Sequence, residues 1–156
     1  MNRRSFFSAA GGGFAWACAG SIAGGCSMVT GTSDVKLAPG ESYALEEGRL
    51  VLTLARVSAL DKPGGAIKLV VAARPGADPV KVLVVRPDEE TLIAFEDRCT
   101  HGKRELNYRH QERRLECSSF GHSRFDLRGK VLKGPAGAPL AVFPSAVRDG
   151  KLVIEV

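Results

Sequence analysis

Two pairs of cysteine and histidine constrain the fold of this chain more than any other feature of its sequence. Cys99 and His101 are separated by one residue, and Cys117 and His122 are separated by four. Two thiols and two imidazoles make a four-ligand metal site, so the fold has to bring two loops together. Thiolate and imidazole ligands suit zinc or iron–sulfur chemistry rather than magnesium or calcium.

The residues around these pairs resemble the Rieske iron–sulfur proteins, in which two cysteines hold one iron of a [2Fe–2S] cluster and two histidines hold the other. Residues 122–131 are similar to the family's segment that begins at its second histidine ligand. Residues 134–140 are similar to the family's proline loop, which covers the cluster from a third side. The similarity extends over roughly residues 50 to 156.

The resemblance implies a ligand set and a cofactor. The expected metal ligands, which would hold a [2Fe–2S] cluster, are Cys99, His101, Cys117 and His122. No catalytic residue is expected. The family's usual second motif is Cys-x-x-His, and this chain has two additional residues there. We predict His122 rather than His110 as the ligand, because the family-like Ser-Arg-Phe-Asp tail follows His122 directly.

Two other interpretations of these residues remain open, and a third is excluded. A Cys₂His₂ set also fits a structural zinc ion, which is usually tetrahedral and closed. In an oxidising compartment, Cys99 and Cys117 could instead form a disulfide. A complete Rieske-type oxygenase also needs an iron held by two further histidines and a carboxylate. The sequence has three histidines in total, which is too few.

Residues 1–25 are predicted to be a targeting segment rather than part of the folded domain. Arg3 and Arg4 form a twin-arginine start, and no charged residue follows until Asp34. With the Gly- and Ala-rich stretch between them, this pattern predicts a bacterial Tat export signal. The alternative is a membrane helix that begins with arginines, since the stretch is long enough to cross a bilayer. The Tat route carries folded proteins, so a cluster could be inserted before export.

The fate of the N-terminus after export has three possibilities. The residues before Cys26 resemble a lipobox, although the usual leucine three positions earlier is absent. Cleavage near Cys18 and retention as an uncleaved anchor are the other two. Lipidation or retention would attach the protein to the periplasmic face of the bacterial cytoplasmic membrane, which is the predicted location.

Short apolar runs between turn signals predict an all-β fold, in a chain with 44% apolar and 25% charged residues. The predicted strands are Leu50–Leu54, Ile67–Ala72, Val80–Val85, Thr91–Phe95, Arg113–Glu116, Lys130–Leu132, Leu140–Phe143 and Leu152–Val156. The run near Leu54–Leu60 is ambiguous between helix and strand. Asp149-Gly150 predicts a tight turn in a closing hairpin.

The resemblance implies an antiparallel β-sandwich base that carries a small cluster-binding subdomain at about residues 96–137. After the signal or anchor of residues 1–25, residues 26–48 are expected to contain a linker and the first strand. Residues 30–34 are expected to be a polar tether. Residues 49–156 form the predicted Rieske [2Fe–2S] domain.

Positive charge is concentrated around the two Cys/His pairs. From Arg98 to Lys133 the sequence has ten Lys or Arg and four Asp or Glu, so the net charge of this segment is +6. A solvated loop surface is one explanation, and a basic rim that steers an acidic redox partner is another. Nucleic acid is not an expected partner, because the segment has few aromatic residues for base stacking.

The ligand types indicate the redox behaviour. Two ferric ions and two sulfides carry a charge of +2, so two thiolates and two neutral imidazoles make the oxidised site neutral. A neutral site accepts an electron more readily than the dianion that four thiolates would make, and Rieske potentials span about −150 to +300 mV. High-potential members of the family have an extra cysteine in each loop and a tyrosine at the position of Phe125. The absence of both predicts an intermediate or low potential.

Two other side chains in these loops have alternative roles. Ser123 could donate a hydrogen bond to a cluster sulfur, since such outer donors tune metal sites, or it could be a surface turn residue. Phe120 could shield the cluster from water or pack beneath it. An exposed ligand, His101 or His122, is expected to meet the redox partner.

Together these features predict an electron-transfer protein that passes single electrons between quinol or a redox enzyme and an acceptor such as a c-type cytochrome. The expected role is the iron–sulfur subunit of a bacterial membrane-associated oxidoreductase. The expected partners are cytochrome c, a cytochrome b or quinol-oxidising subunit, or the large subunit of a molybdenum enzyme, and the membrane through the N-terminus. The alternatives are the small subunit of an exported, arsenite-oxidase-like molybdenum oxidoreductase and a zinc-binding lipoprotein.

Overall fold

The structure, a computed structural model, describes residues 33–72, 76, 78–120 and 122–156. The predicted export signal, Cys18 and Cys26 lie outside the described residues. In the described part of the chain, no helix is long and apolar enough to span a membrane.

Twelve strands and three single-turn 3₁₀ helices make up the described part of the chain. The strands are β1 (Tyr43–Glu46), β2 (Arg49–Thr53), β3 (Ala66–Val71), β4 (Val80–Val85), β5 (Ile93–Glu96), β6 (Leu106–Arg109), β7 (Arg114–Cys117), β8 (Arg124–Asp126), β9 (Val131–Lys133), β10 (Val142–Phe143), β11 (Ser145–Arg148) and β12 (Lys151–Glu155). The 3₁₀ helices are Gly40–Ser42, Leu54–Arg56 and Ser58–Leu60. The ambiguous run near Leu54–Leu60 is therefore two 3₁₀ turns.

The strands form three four-stranded antiparallel sheets. The first has the order β1-β2-β12-β11, and the second has the order β10-β5-β4-β3. The third, which we call the cluster-binding sheet, has the order β6-β7-β8-β9. The prediction of an all-β fold with an antiparallel base and a separate small sheet is confirmed.

The first core lies between the first and second sheets. In β2 and β12, buried residues alternate with partly exposed ones, so Leu50, Leu52, Leu152 and Ile154 point to the same side. These residues pack with apolar side chains of β3 and β4. The period of two along each strand puts one face of the first sheet against the core and the other toward solvent.

Strand β4 is buried on both faces, which explains how the cluster-binding sheet is supported. Val82 and Val84 belong to the first core, whereas Leu83 and Val85 belong to a second core that contains Cys99 and Cys117. All four valine and leucine side chains are fully buried. The second sheet is therefore a middle layer, and its far side forms the floor of the metal-ligand region.

The β11–β12 hairpin closes on a turn that requires a left-handed backbone. Asp149 and Gly150 have φ of 49° and 73°, between the paired residues Arg148 and Lys151. Two consecutive positive φ angles are typical of the type I′ turn, which matches the twist of the flanking strands. The hairpin predicted at Asp149-Gly150 is confirmed.

Sequence patterns did not predict β6 and β8. Both belong to the cluster-binding sheet, and β6 alternates Leu106 and Tyr108 with polar residues over only four positions. Such a short run has little strand signal of its own. It becomes a strand because β7 pairs with it and because Leu106 and Tyr108 are buried in the second core.

The described end of the predicted tether is docked against the domain. Ser33 Oγ donates a hydrogen bond to the carbonyl of Leu106 at 2.7 Å, and Asp34 N donates to Asn107 Oδ1 at 2.9 Å. An ion pair of 2.7 Å joins Asp34 Oδ2 to Arg109 Nη1. Strand β6 therefore holds Ser33 and Asp34 through three polar contacts, made by the carbonyl of Leu106, the side-chain oxygen of Asn107 and the guanidinium of Arg109.

Candidate metal centre

The two cysteines are buried free thiols that the fold brings close together. Cys99 follows β5, and Cys117 is the last residue of β7. Burial is the main cause that raises the pKa of Cys117, and the neighbouring Cys99 raises it further. Both cysteines belong to the same buried core, so the fold brings the two loops together. The disulfide that the sequence left open is absent between these two described residues.

The first loop is closed by its own backbone. Cys99 N donates a hydrogen bond to the carbonyl of Arg104 at 2.7 Å, and Lys103 N donates to the carbonyl of Cys99 at 2.8 Å. Lys103 has φ of 55° in the left-handed region. This tight turn buries Cys99 and leaves His101 exposed at the surface.

The second loop accommodates its two additional residues by folding back on itself. Cys117 N donates a hydrogen bond to the carbonyl of Ser123 at 2.8 Å, and His122 N donates to the carbonyl of Ser119 at 3.0 Å. His122 has φ of 42°, and Phe120 is completely exposed. Phe120 therefore packs against nothing in the described structure, contrary to its interpretation as a residue that packs beneath the cluster.

Ser119 is a polar partner of the cluster ligands that the sequence interpretation missed. Its Oγ lies 3.1 Å from Cys117 Sγ. Because the hydroxyl carries one proton and thiolate sulfur is an acceptor, Ser119 can donate to Cys117 when the thiolate binds iron. The sequence feature that could have indicated this contact is that Ser119 lies two residues after Cys117.

The two histidines lie on the exposed side of the loops. Half of the His122 side chain, 54%, is exposed, and its Nδ1 lies 3.2 Å from the carbonyl oxygen of Cys117 and 3.5 Å from Glu116 Oε1. In the described residues, no group of three or more His, Cys, Asp or Glu side chains converges on one metal ion. A binuclear cluster takes only two protein ligands at each iron.

His110 is placed far along the hairpin from Cys117. It lies in the turn after β6, whereas Cys117 pairs with Leu106 at the opposite end of β7. His110 Nδ1 is 3.0 Å from the hydroxyl of Tyr108, and its ring lies against Gly64. His110 therefore has a packing role at the turn of the β6–β7 hairpin, consistent with the prediction of His122 as the ligand.

The proline loop is tied to both cluster loops. Thr100 Oγ1 donates a hydrogen bond to the carbonyl of Ala138 at 2.7 Å, and Ala136 N donates to Ser123 Oγ at 3.1 Å. Ser123 is fully buried, so its interpretation as a surface turn residue is wrong. Because Ser123 Oγ accepts from Ala136, its own proton remains available for a second acceptor.

A buried charge network lies beneath the first loop, and sequence analysis did not find it. Lys68 Nζ, on β3, lies 2.9 Å from Asp97 Oδ2 and 2.7 Å from Glu105 Oε2. Lys81 Nζ on β4 lies 3.0 Å from Glu105 Oε1. Burial raises the pKa of Asp97, whereas the hydrogen bond from Lys68 lowers the pKa of Glu105. In the sequence, this network is indicated by Lys68, a lysine within the apolar run Ala66–Val71.

Part of the positive charge around the loops is neutralised on the outer face of the cluster-binding sheet. Glu116 Oε2 lies 3.3 Å from Arg114 Nη2 and 3.9 Å from Arg109 Nε. By contrast, Lys103, Arg104 and Lys133 are exposed and pair with no carboxylate among the described residues. Unpaired positive charge is therefore present in the first loop and at the end of β9.

Comparisons with known proteins agree with this architecture. The family model of the Rieske [2Fe-2S] domain matches residues 52–144. No curated protein matches the chain.

The solved structures that are similar to the chain include the following three. The plasma membrane Rieske protein PetC3 of the cyanobacterium Synechocystis PCC 6803 is 25% identical, covers 57% of this chain and 86% of its own, and has a TM-score of 0.46. The ferredoxin of carbazole 1,9a-dioxygenase from Nocardioides aromaticivorans IC177 is 23% identical over 67% of this chain and 92% of its own, with a TM-score of 0.50. A complex of reduced oxygenase and oxidised ferredoxin in carbazole 1,9a-dioxygenase contains a chain that is 27% identical over the same shares, also with a TM-score of 0.50.

The donor set fits the cofactor of that family. Two adjacent thiols are buried in an apolar core, and one histidine follows each of them on an exposed loop. The matched segment covers more than half of the chain and contains both Cys/His pairs. The chain belongs to the Rieske [2Fe–2S] domain family, and it binds a [2Fe–2S] cluster for electron transfer.

Proposed function

We propose that this protein passes single electrons between quinol or a redox enzyme and an acceptor such as a c-type cytochrome, as the iron–sulfur subunit of a bacterial membrane-associated oxidoreductase. The observation that carries the proposal is the contrast in burial between the two kinds of ligand. Cys99 and Cys117 are fully buried, whereas His101 and His122 are exposed.

This contrast gives the site one accessible side. The bound cluster supplies a one-electron redox centre. The thiols attach it to the protein core, where water is excluded, and the imidazoles lie where another protein or a quinol can approach. A histidine that binds metal through one ring nitrogen can hold a proton on the other. His101 and His122 therefore lie on the side of the site where electrons and protons are exchanged with a partner.

The surface around the histidines favours an acidic partner. Lys103 and Arg104 lie in the first loop, and Lys133 ends β9, which pairs with β8 directly after the second loop. Exposed charges of one sign increase the rate of encounter with a partner of the opposite sign. Phe120, completely exposed beside His122, adds an apolar contact on the same loop.

Export and membrane attachment are part of the same proposal. The twin-arginine start at Arg3 and Arg4 supports export through the Tat route, and Cys26 supports attachment by a lipid. Retention of residues 1–25 as an uncleaved anchor would also attach the protein to the membrane. Either form of attachment would confine the cluster domain to the periplasmic face of the cytoplasmic membrane.

Two alternative functions use the same cluster site but transfer electrons to or from different partner proteins. The small subunit of an exported molybdenum oxidoreductase shares the export signal and the size. A carrier that donates electrons to an oxygenase is favoured by the 27% identical ferredoxin, which was solved in complex with its oxygenase and 92% of which is matched by this chain. The structural-zinc alternative has less support, because the family-model match covers the cluster site as a whole.

Native membranes test the proposal directly. We would solubilise them in mild detergent, isolate the full chain through a C-terminal tag, and identify the redox proteins that co-purify. Co-purification of a cytochrome b or cytochrome c subunit, with reduction of the cluster by added quinol, supports the proposal. A molybdenum enzyme or an oxygenase as the main partner would support the corresponding alternative, and recovery of the chain only in the soluble fraction would contradict membrane association.

A further inference from the structure

The first cluster loop is held at both ends by one buried lysine. Asp97 lies two residues before Cys99, and Glu105 lies four residues after His101. The ammonium of Lys68 contacts both carboxylates, at 2.9 Å and 2.7 Å. The side chain of Lys68 is only 3% exposed, so these contacts lie under the loop rather than at its surface.

Lys68 itself is held firmly by the base. Its backbone N–H donates a hydrogen bond to the carbonyl of Lys36 at 2.9 Å, and its carbonyl accepts one from Ala38 N at 2.8 Å. The residue also pairs with Leu83 in the β3–β4 ladder. Backbone contacts on both sides of β3 fix the point from which the ammonium reaches the loop.

The remaining polar atoms of the network also have partners. Asp97 Oδ1 accepts a hydrogen bond from Leu106 N at 2.7 Å, which ties the start of the loop to the first residue of β6. Glu105 Oε1 accepts from Lys81 Nζ at 3.0 Å. A buried ion pair that loses one partner leaves an uncompensated charge, which is strongly destabilising. The loop therefore opens only at the expense of these contacts.

We propose that Lys68 is a positioning residue that keeps the loop of residues 97–105 closed and thereby orients Cys99 and His101 for the cluster. Lys68 binds neither the cluster nor a redox partner. It acts from β3, below the loop, through Asp97 and Glu105. Sites whose ligands are held by supporting contacts keep their geometry better than sites on loose loops. This inference concerns cluster binding and does not depend on which redox partner the protein has.

Hydrogen–deuterium exchange of the cluster-loaded full chain tests the proposal. The reporter is a peptide covering residues 97–106, which contains the hydrogen-bonded amides of Cys99, Lys103 and Leu106. The reference is a peptide covering residues 145–155, which forms the β11–β12 hairpin away from the network. Lys68→Met and Glu105→Gln remove the buried contacts. Lys81→Met is the matched control, because it removes only the contact to Glu105 in which both side chains are about one third exposed.

We expect Lys68→Met to accelerate exchange in the reporter about tenfold and Glu105→Gln about threefold, with Lys81→Met within about twofold of the wild type. The reference peptide should stay unchanged. The EPR spectrum of the reduced cluster should broaden in Lys68→Met, because His101 and Cys99 then sample more than one geometry.

Three results would overturn the proposal. One is unchanged exchange in both buried-contact variants. Another is equal acceleration in the reporter and the reference, which indicates a general loss of stability. The last is faster reporter exchange with a wild-type EPR spectrum, because the ligands would then keep their geometry without the network. If Lys68→Met does not fold, the exchange rates of the reporter peptide in Glu105→Gln and Lys81→Met are compared instead. Both variants lose the contact between Lys81 and Glu105, and only Glu105→Gln also loses the ion pair with Lys68. Equal exchange in those two variants contradicts the role of Lys68.

Discussion

The hydroxyl oxygen of Ser123 accepts a hydrogen bond from the backbone amide of Ala136 at 3.1 Å, and this contact fastens the proline loop to the second cluster loop. The proline loop also packs closely against the second loop at this point: a Cβ added at Gly134 would lie 2.6 Å from Ser123 Cα. Gly134 has φ of 101°, in the region that disfavours side chains. The proline loop can approach Ser123 only because residue 134 has no side chain.

Gly134→Ala should therefore destabilise the protein, by at least about 2 kcal/mol in the free energy of unfolding, because it adds both backbone strain and a backbone clash. Gly137→Ala is the matched control, since nothing lies within 4 Å of a Cβ there. We expect that variant to stay within about 0.5 kcal/mol of the wild type. Urea unfolding followed by circular dichroism measures both, and equal stability of the two variants would contradict the close approach at Gly134.

His122→Ala should abolish the [2Fe–2S] cluster, because we propose His122 as one of its four protein ligands. His110→Ala, in the turn between β6 and β7, is the matched control and should retain the cluster, since the His110 side chain contacts Tyr108 and Gly64. Iron and acid-labile sulfide analysis, with visible absorption, measures cluster content. The ligand assignment would be wrong if His110→Ala lost the cluster and His122→Ala kept it.

Ser119→Ala should lower the reduction potential of the cluster. Ser119 Oγ lies 3.1 Å from Cys117 Sγ, and a donor to sulfur stabilises the reduced form more, because that form carries more negative charge. A loss of about 1 kcal/mol of such stabilisation corresponds to roughly 40 mV in a one-electron couple. Redox titration monitored by EPR measures the shift, with Ser58→Ala, in the 3₁₀ turn Ser58–Leu60, as the control. A potential that rises or stays constant in Ser119→Ala would be evidence against this hydrogen bond.

The wild-type midpoint potential should lie in the middle or lower part of the Rieske range of about −150 to +300 mV. Phe125 is fully buried in the second core with both cysteines, and it has no hydroxyl to donate. The loops also lack the additional pair of cysteines of high-potential members. The same titration tests this expectation, which a midpoint near the upper limit would refute.

Acid should weaken the contribution of Glu105 to stability. The hydrogen bond from Lys68 lowers the pKa of Glu105 in the folded protein. A carboxylate with a lowered folded-state pKa stabilises the protein above its unfolded pKa of about 4.3, and this stabilisation is lost as pH falls through the folded pKa. The difference in stability between the wild type and Glu105→Gln should therefore shrink below about pH 4.3.

Urea midpoints of both proteins at several pH values measure this difference. Asp97, whose pKa is raised by burial, is present in both proteins, so its opposite pH dependence largely cancels in the comparison. Cluster absorbance, followed in parallel, separates acid release of the cluster from unfolding. A difference that grows as pH falls would contradict the stabilising role of the ionised Glu105.

Residue types and their spacing determined the chemistry of this protein and much of its strand content. Cys99, His101 and Cys117 have the expected spacing for a Rieske site, and the apolar runs at β3 and β4 predict buried strands without tertiary information. The turn at Asp149-Gly150 follows from local backbone preference, because Asp, Asn and Gly tolerate positive φ. These features are local in sequence, so they can be identified from the sequence alone.

The tertiary structure alone decided which residues support the site. Lys68 lies 29 residues from Asp97 and 37 from Glu105, and no sequence pattern links a lysine in an apolar strand to carboxylates at the ends of a distant loop. Ser123 and Ala136, 13 residues apart, meet only because the proline loop folds back over the second loop. Partners distant in sequence become neighbours through the packing of the cluster-binding sheet on β4, and packing of that kind depends on all of the strands together.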